Sequence, residues 1–175
     1  MKPVAIIGNY PNANIPFDED VDIWAINALG TLHPRIDMLF QIHRKENGFY
    51  EADEFYEWMK QNKTMPICMR DQFDEIPMCI PYPFNEVYSL TKNIRQGSKE
   101  LEELKYLTST PSMALALAIH QGRKKILVYG IEMDIGETYF FQRDCFTFWL
   151  GIAGGKDIEI EIHCADAIFK QPVYG

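Results

Sequence analysis

Small and amide residues follow the apolar runs of this 175-residue chain, in places where they could do chemistry. Gly8, Asn9 and Asn12 come directly after Val4-Ala5-Ile6-Ile7, and Asn27 ends the run Val21-Asp22-Ile23-Trp24-Ala25-Ile26. A glycine lets the backbone turn sharply or approach a ligand closely, and an asparagine offers a donor and an acceptor without charge. His43, delivered with Arg44 by Met38-Leu39-Phe40-Gln41-Ile42, titrates near neutrality and could serve as acid, base or phosphate partner. Thr108-Ser109-Thr110 forms a polar turn before an Ala-rich helix, whose open amides at Ser109 to Ser112 would suit an anion. Glu132 and Asp134 lie beyond the next apolar run and could hold Mg²⁺ if the chemistry were pyrophosphoryl transfer. Each group also has a plainer reading: a surface histidine, a capping hydroxyl, a glutamate that bonds the loops it meets.

The elements that must position these groups are organised around Tyr106 to Glu132. Pro111 fits the first helical position, Ser109 or Thr110 can cap the free amides, and every residue from Met113 to Ile119 is apolar. Such a helix lies flat on a sheet with little surface left for water. Gly122 is placed to end it, with Arg123, Lys124 and Lys125 at its negative end, and Ile126-Leu127-Val128-Tyr129 reads as a buried strand. Upstream, the runs at 4–7, 21–27, 38–42, 65–69 and 76–80 read as strands, the last two short or edge-like because of their prolines. Glu46 to Gln61 suits an amphipathic helix, 81–88 a loop packed on itself, and 92–103 a flexible polar connection. Asp134 to Tyr139 reads as a loop, followed by a helix from Gln142 to Ala153, a Gly154-Gly155 stop and a strand over 158–162. This order predicts an α/β, Rossmann-like fold, a mainly parallel twisted sheet with helices on both faces, as a single domain over residues 1–175. Ligands of such sheets gather at the carboxyl edge of the strands.

Composition narrows the function. The chain is 47% apolar and 24% charged, as in ordinary globular proteins, and its formal charge of −8 excludes a general binder of nucleic-acid backbones. It leaves room for a nucleotide held by backbone amides and neutral side chains. Cys68, Cys79, Cys145 and Cys164 are widely spaced, form no CxxC pair and predict free thiols in a reducing compartment, with no zinc site. No apolar run is long enough for a signal peptide or a membrane span, which predicts a cytoplasmic protein. Aromatics on and before the last helix (Phe140, Phe141, Phe146, Phe148, Trp149) could form a homo-oligomer interface.

Several of these segments resemble, together, the bacterial sialyltransferases of glycosyltransferase family 42. Gly8-Asn9-Tyr10-Pro11-Asn12 is similar to the family's GNGPS turn, and Asp22 to Asn27 to its second strand, which ends in a ligand-binding Asn. Thr108-Ser109, the Ala-rich helix and Tyr129-Gly130-Ile131-Glu132 resemble its TSG, AxAIALG and SGID segments. The MptE-like pterin diphosphokinases share this skeleton, and the GIEM…ETYFFQR segment is similar to small phage-borne proteins. The resemblance implies that Gly8 and Asn9 sit beside the nucleotide phosphate or ribose, Asn27 at the ribose or sugar, and Ser109 near the base or transferred group. Tyr139 resembles a tyrosine that binds the leaving phosphate, a task done there without a metal. The chain departs from the family at Tyr10, Asn12 and Thr110, and Met133 to Phe141 holds no counterpart of the catalytic lid histidine. Deprotonation of an acceptor would then fall to His43, Asp134 or Glu137. The expectation is a small transferase using a nucleotide or sugar nucleotide, with Mg²⁺ only for pyrophosphoryl transfer. The alternatives are an inactive nucleotide binder, a diphosphokinase, or a structural subunit.

Overall fold

An apolar strand with no polar face belongs at the centre of a sheet covered on both sides. Val4–Ile7 (β1) occupies that place, with every residue buried. It pairs in parallel with Asp22–Ile26 (β2) on one side and with Lys125–Tyr129 (β8) on the other. The computed structural model describes residues 1–9, 14–27, 31, 33–43, 53–97, 100, 102–133 and 137–163, without the side chains of 53 and 137–140. Among these residues Met38–Gln41 (β3), Ile67–Met69 (β4), Cys79–Pro81 (β5) and Glu159–His163 (β9) complete a seven-stranded sheet, in the order β5-β4-β3-β2-β1-β8-β9. Every neighbouring pair in it is parallel. The α/β Rossmann-like architecture expected from the sequence is the one observed.

Helices cover both faces. Asp53–Gln61 (α1) places Met59 against Ala25, Leu39, Ile67 and Met69, while Glu54 and Glu57 face solvent. On the opposite face Thr110–His120 (α3) and Glu137–Gly154 (α4) join Ile6, Trp24, Phe40 and Val128 in the larger core. Residues Ser112 to Ile119 of α3 are all buried, because α4 packs on the side of the helix that the sheet leaves open. The alternating alanines let the helix fit between those two layers. Trp149 fixes this packing by donating its indole N–H to the Tyr106 carbonyl at 2.8 Å. Under β1 and β8, Ile15 and Phe17 cover Ala5, Ile7, Leu127 and Tyr129 in place of a helix.

Gly122 ends α3 as expected. Its φ of 75° is left-handed, its N–H reaches the Ile119 carbonyl, and the Arg123 N–H reaches Ala118 at 3.1 Å, a Schellman closure. Arg123 then ties this end to the sheet by bonding the Lys2 carbonyl and the Asp22 carboxylate beneath the Trp24 ring. Among the described residues no helix is long and apolar enough to cross a membrane.

Some expectations change. The 81–88 loop contains a short helix, Phe84–Tyr88 (α2), with the Phe84 ring in tilted contact with those of Tyr82 and Tyr88. The 92–103 connection contains an antiparallel pair, Arg95–Gln96 (β6) with Glu102–Glu103 (β7). Helix α4 starts at Glu137, five residues before the expected Gln142, and no glycine or proline stands between Gly136 and Gln142 to stop it. Glu137 and Tyr139 are therefore in its first turn and not in a loop. Phe146 and Trp149, grouped above with an interface patch, are fully buried; Phe141 is the exposed member at 65%.

Candidate functional site

Because the strands are parallel, all their carboxyl ends lie at one edge, and the residues that follow them gather there. The structure brings Gly8 and Asn9 (after β1), Asn27 (after β2), His43 (after β3) and Glu132 (after β8) to that edge. Helix α3 runs back along the sheet into β8, so its amino end, with Thr108 and Ser109, is at the same edge. The chain leaves β1 toward β2, and β8 returns on the other flank, so the β1–β8 junction is the switch point at which open α/β sheets bind ligands.

Gly8 is needed there, for a reason other than ligand approach. Its N–H continues the ladder to the Tyr129 carbonyl at 2.8 Å, and a Cβ on it would stand 2.3 Å from the Gly130 carbonyl oxygen. The space a side chain would fill is taken by the protein's own backbone. Gly130 turns the chain away at φ 58°, and Asn9 follows Gly8 into solvent.

Asn27 also has a left-handed φ, 60°, and its N–H donates to the Phe40 carbonyl at 2.9 Å, one step beyond the last β2–β3 pair. Its side-chain Oδ1 is buried without a hydrogen-bond partner, as is Oε1 of Gln41 at the end of β3. His43 is half-buried, and burial lowers its pKa below the ordinary 6.5, so at pH 7 the imidazole is neutral and able to take a proton.

The hydroxyls expected to face a ligand are engaged in the fold. Ser109 caps α3: its Oγ accepts from the Ser112 N–H at 3.3 Å and lies 2.8 Å from the Ser112 hydroxyl. Thr108 donates its hydroxyl to the Phe141 carbonyl at 3.3 Å and its N–H to Cys145 Sγ at 3.4 Å, docking α4. Glu132 is half-buried between buried Ile131 and Met133. Asn12 and Asp134 lie outside the described residues, and so do the side chains of Glu137 and Tyr139. Among the described residues no three His, Cys, Asp or Glu side chains stand together as metal ligands, and of the carboxylate pair considered for Mg²⁺ only Glu132 is described.

One feature that sequence reading missed is a groove of about 370 Å³ over β8 and β9, bordered by Pro16, Asp20, Lys125, Tyr129, Glu161 and His163. Lys125 bridges Glu159 and Glu161, which push its pKa up to about 12. His163 Nε2 is 3.1 Å from Glu161 Oε2, and its ring stacks on Tyr129 at 4.5 Å. The alternation of Glu159, Glu161 and His163 carried the signal, but their partners on β8 emerge only from the parallel register Lys125–Glu159 to Tyr129–His163.

No protein-family profile matches the chain, and no curated protein matches it in sequence. Solved structures do match. The sialyltransferase CstII from Campylobacter jejuni in complex with the substrate analogue cytidine-5′-monophosphate (CMP) is similar over 95% of this chain and 81% of its own, with a TM-score of 0.55 and 16% identity. The complex of the same enzyme with the analogue CMP-3FNeuAc is similar over 96% and 82%, with a TM-score of 0.58 and 16% identity. The fold of this chain is thus sialyltransferase-like.

Proposed function

We propose that this protein binds a nucleotide or sugar nucleotide at the carboxyl edge of its sheet and transfers a group from it, as a small glycosyltransferase-like enzyme. The observation that carries this reading is the gathering of Asn9, Asn27, His43 and the amino end of α3 along the one sheet edge that holds the β1–β8 switch point. The sialyltransferase-like fold over nearly the whole chain supports it. In this reading the phosphate lies by Asn9 and the amides at the start of α3, where the helix dipole favours negative charge. His43, neutral at pH 7, takes the proton of an acceptor hydroxyl as that oxygen attacks the sugar carbon. The bond from that carbon to the phosphate oxygen breaks, and the nucleotide leaves with the electron pair. Neutral donors then meet the charge that develops on the leaving phosphate.

The test is turnover. Incubation with a CMP-sugar and a panel of glycan acceptors should release CMP, and His43→Gln should slow the release by about a hundredfold or more, as for loss of a general base. CMP binding with no release by the wild type would make the protein a binder without turnover. An ATP response that requires Mg²⁺ would favour diphosphoryl transfer.

A further inference from the structure

Buried polar atoms in folded proteins nearly always find a partner, and one left alone destabilises the fold unless something else uses it. Asn27 Oδ1 and Gln41 Oε1 are two such atoms among the described residues. Their residues are also neighbours along the sheet edge. Ile26 stands opposite Phe40 in the parallel ladder, and the Asn27 N–H to Phe40 carbonyl bond carries the pairing one step further, so Asn27 and Gln41 end adjacent strands side by side. Gln41 is only 2% exposed, two residues beyond Leu39, at a strand position that an apolar side chain would fill at lower cost. Asn27 holds a left-handed φ, which asparagine tolerates better than most side chains.

Both residues thus stand at the carboxyl edge of the sheet, each with a buried, uncharged acceptor. At about 4.8 Å per strand, the β2–β3 gap is about 10 Å from the β1–β8 gap, a span that a mononucleotide can bridge from phosphate to base. Uncharged acceptors repel phosphate oxygens and suit N–H or O–H donors.

We propose that Gln41, together with Asn27, is a specificity-determining acceptor pair for a neutral donor group of the ligand, either the exocyclic amine of a nucleobase or the hydroxyls of its ribose. The pair rests on the nucleotide reading above, with the phosphate at the switch point and the donor group over β2 and β3.

The experiment is calorimetric titration of wild type, Gln41→Met and Asn27→Gly with CMP, uridine monophosphate and 2′-deoxycytidine monophosphate, alongside thermal midpoints. Methionine keeps the length of Gln41 and removes its acceptor; glycine keeps the left-handed turn at 27, so one variant remains informative if the other fails to fold. The expected result is CMP affinity three- to tenfold weaker in either variant, as for loss of a neutral hydrogen bond. The midpoint of Gln41→Met should not fall, since its unpaired atom is gone. If the amine is the donor, wild type prefers CMP to uridine monophosphate and Gln41→Met removes the preference. If the ribose hydroxyls are, both ribonucleotides weaken together and the deoxynucleotide binds wild type no better than CMP binds the variant. Unchanged affinities in both variants would overturn the pair alone and leave the oxygens to bound water. Wild-type protein that binds none of the three nucleotides would overturn the nucleotide reading and the pair with it.

Discussion

Gly8 and Gly130 meet backbone to backbone at the β1–β8 junction: a Cβ on Gly8 would lie 2.3 Å from the Gly130 carbonyl oxygen and 2.8 Å from its carbonyl carbon. The first turn after β1 and the turn after β8 are in contact, so the floor of the candidate site is a single packed unit.

That contact makes Gly8→Ala a severe change. Neither backbone can retreat, because the Gly8 N–H is bonded to Tyr129 within the same ladder. The expected destabilisation is about 2–3 kcal/mol, in the range for overpacked cores, seen as a melting midpoint lower by roughly 5–10 °C. An unchanged midpoint would mean that the two turns separate easily.

Ser109 caps α3, and its substitution should register as a stability effect. Ser109→Ala removes the acceptor for the Ser112 N–H and should lower stability by about 1 kcal/mol in chemical denaturation, with the affinity for CMP close to that of wild type. Wild-type stability combined with lost binding would return Ser109 to the ligand contacts.

The two partly buried imidazoles set a pH dependence. Burial lowers the pKa of both His33 and His43 below 6.5, so the unfolded chain binds more protons than the folded one as pH falls past that value. Their contribution is present above pH 6.5 and is lost progressively as pH falls through the lowered folded pKa values. Urea midpoints should therefore drop between pH 7 and pH 5.5, and His43→Asn should flatten the slope. A slope identical in the variant would remove His43 from that group.

Much of the fold was legible because its signals are local. The apolar runs at 4–7 and 126–129, the capped helix before Gly122 and the Gly154-Gly155 stop each identify an element without reference to a partner. Because the strands are parallel, naming their ends was enough to bring Asn9, Asn27 and His43 to one edge. What depended on tertiary contact was not legible. The Gly8–Gly130 contact, the commitment of Thr108 to α4, and the facing of Glu161 and His163 with Tyr129 arise only when elements far apart in sequence pair. Helix α2 was read as a loop because five residues after two prolines give too little period to detect.

The central claim is that the carboxyl edge holds a nucleotide, and thermal unfolding with CMP tests it most directly. A ligand that binds only the folded state adds RT ln(1 + [L]/Kd), about 2.7 kcal/mol at a hundredfold excess over Kd. For a chain of this size that corresponds to a midpoint raised by roughly 5–10 °C. CMP or a CMP-sugar should produce such a shift, reduced when Asn9 is replaced by alanine. A midpoint that stays fixed across the nucleotide panel at millimolar concentration would contradict it.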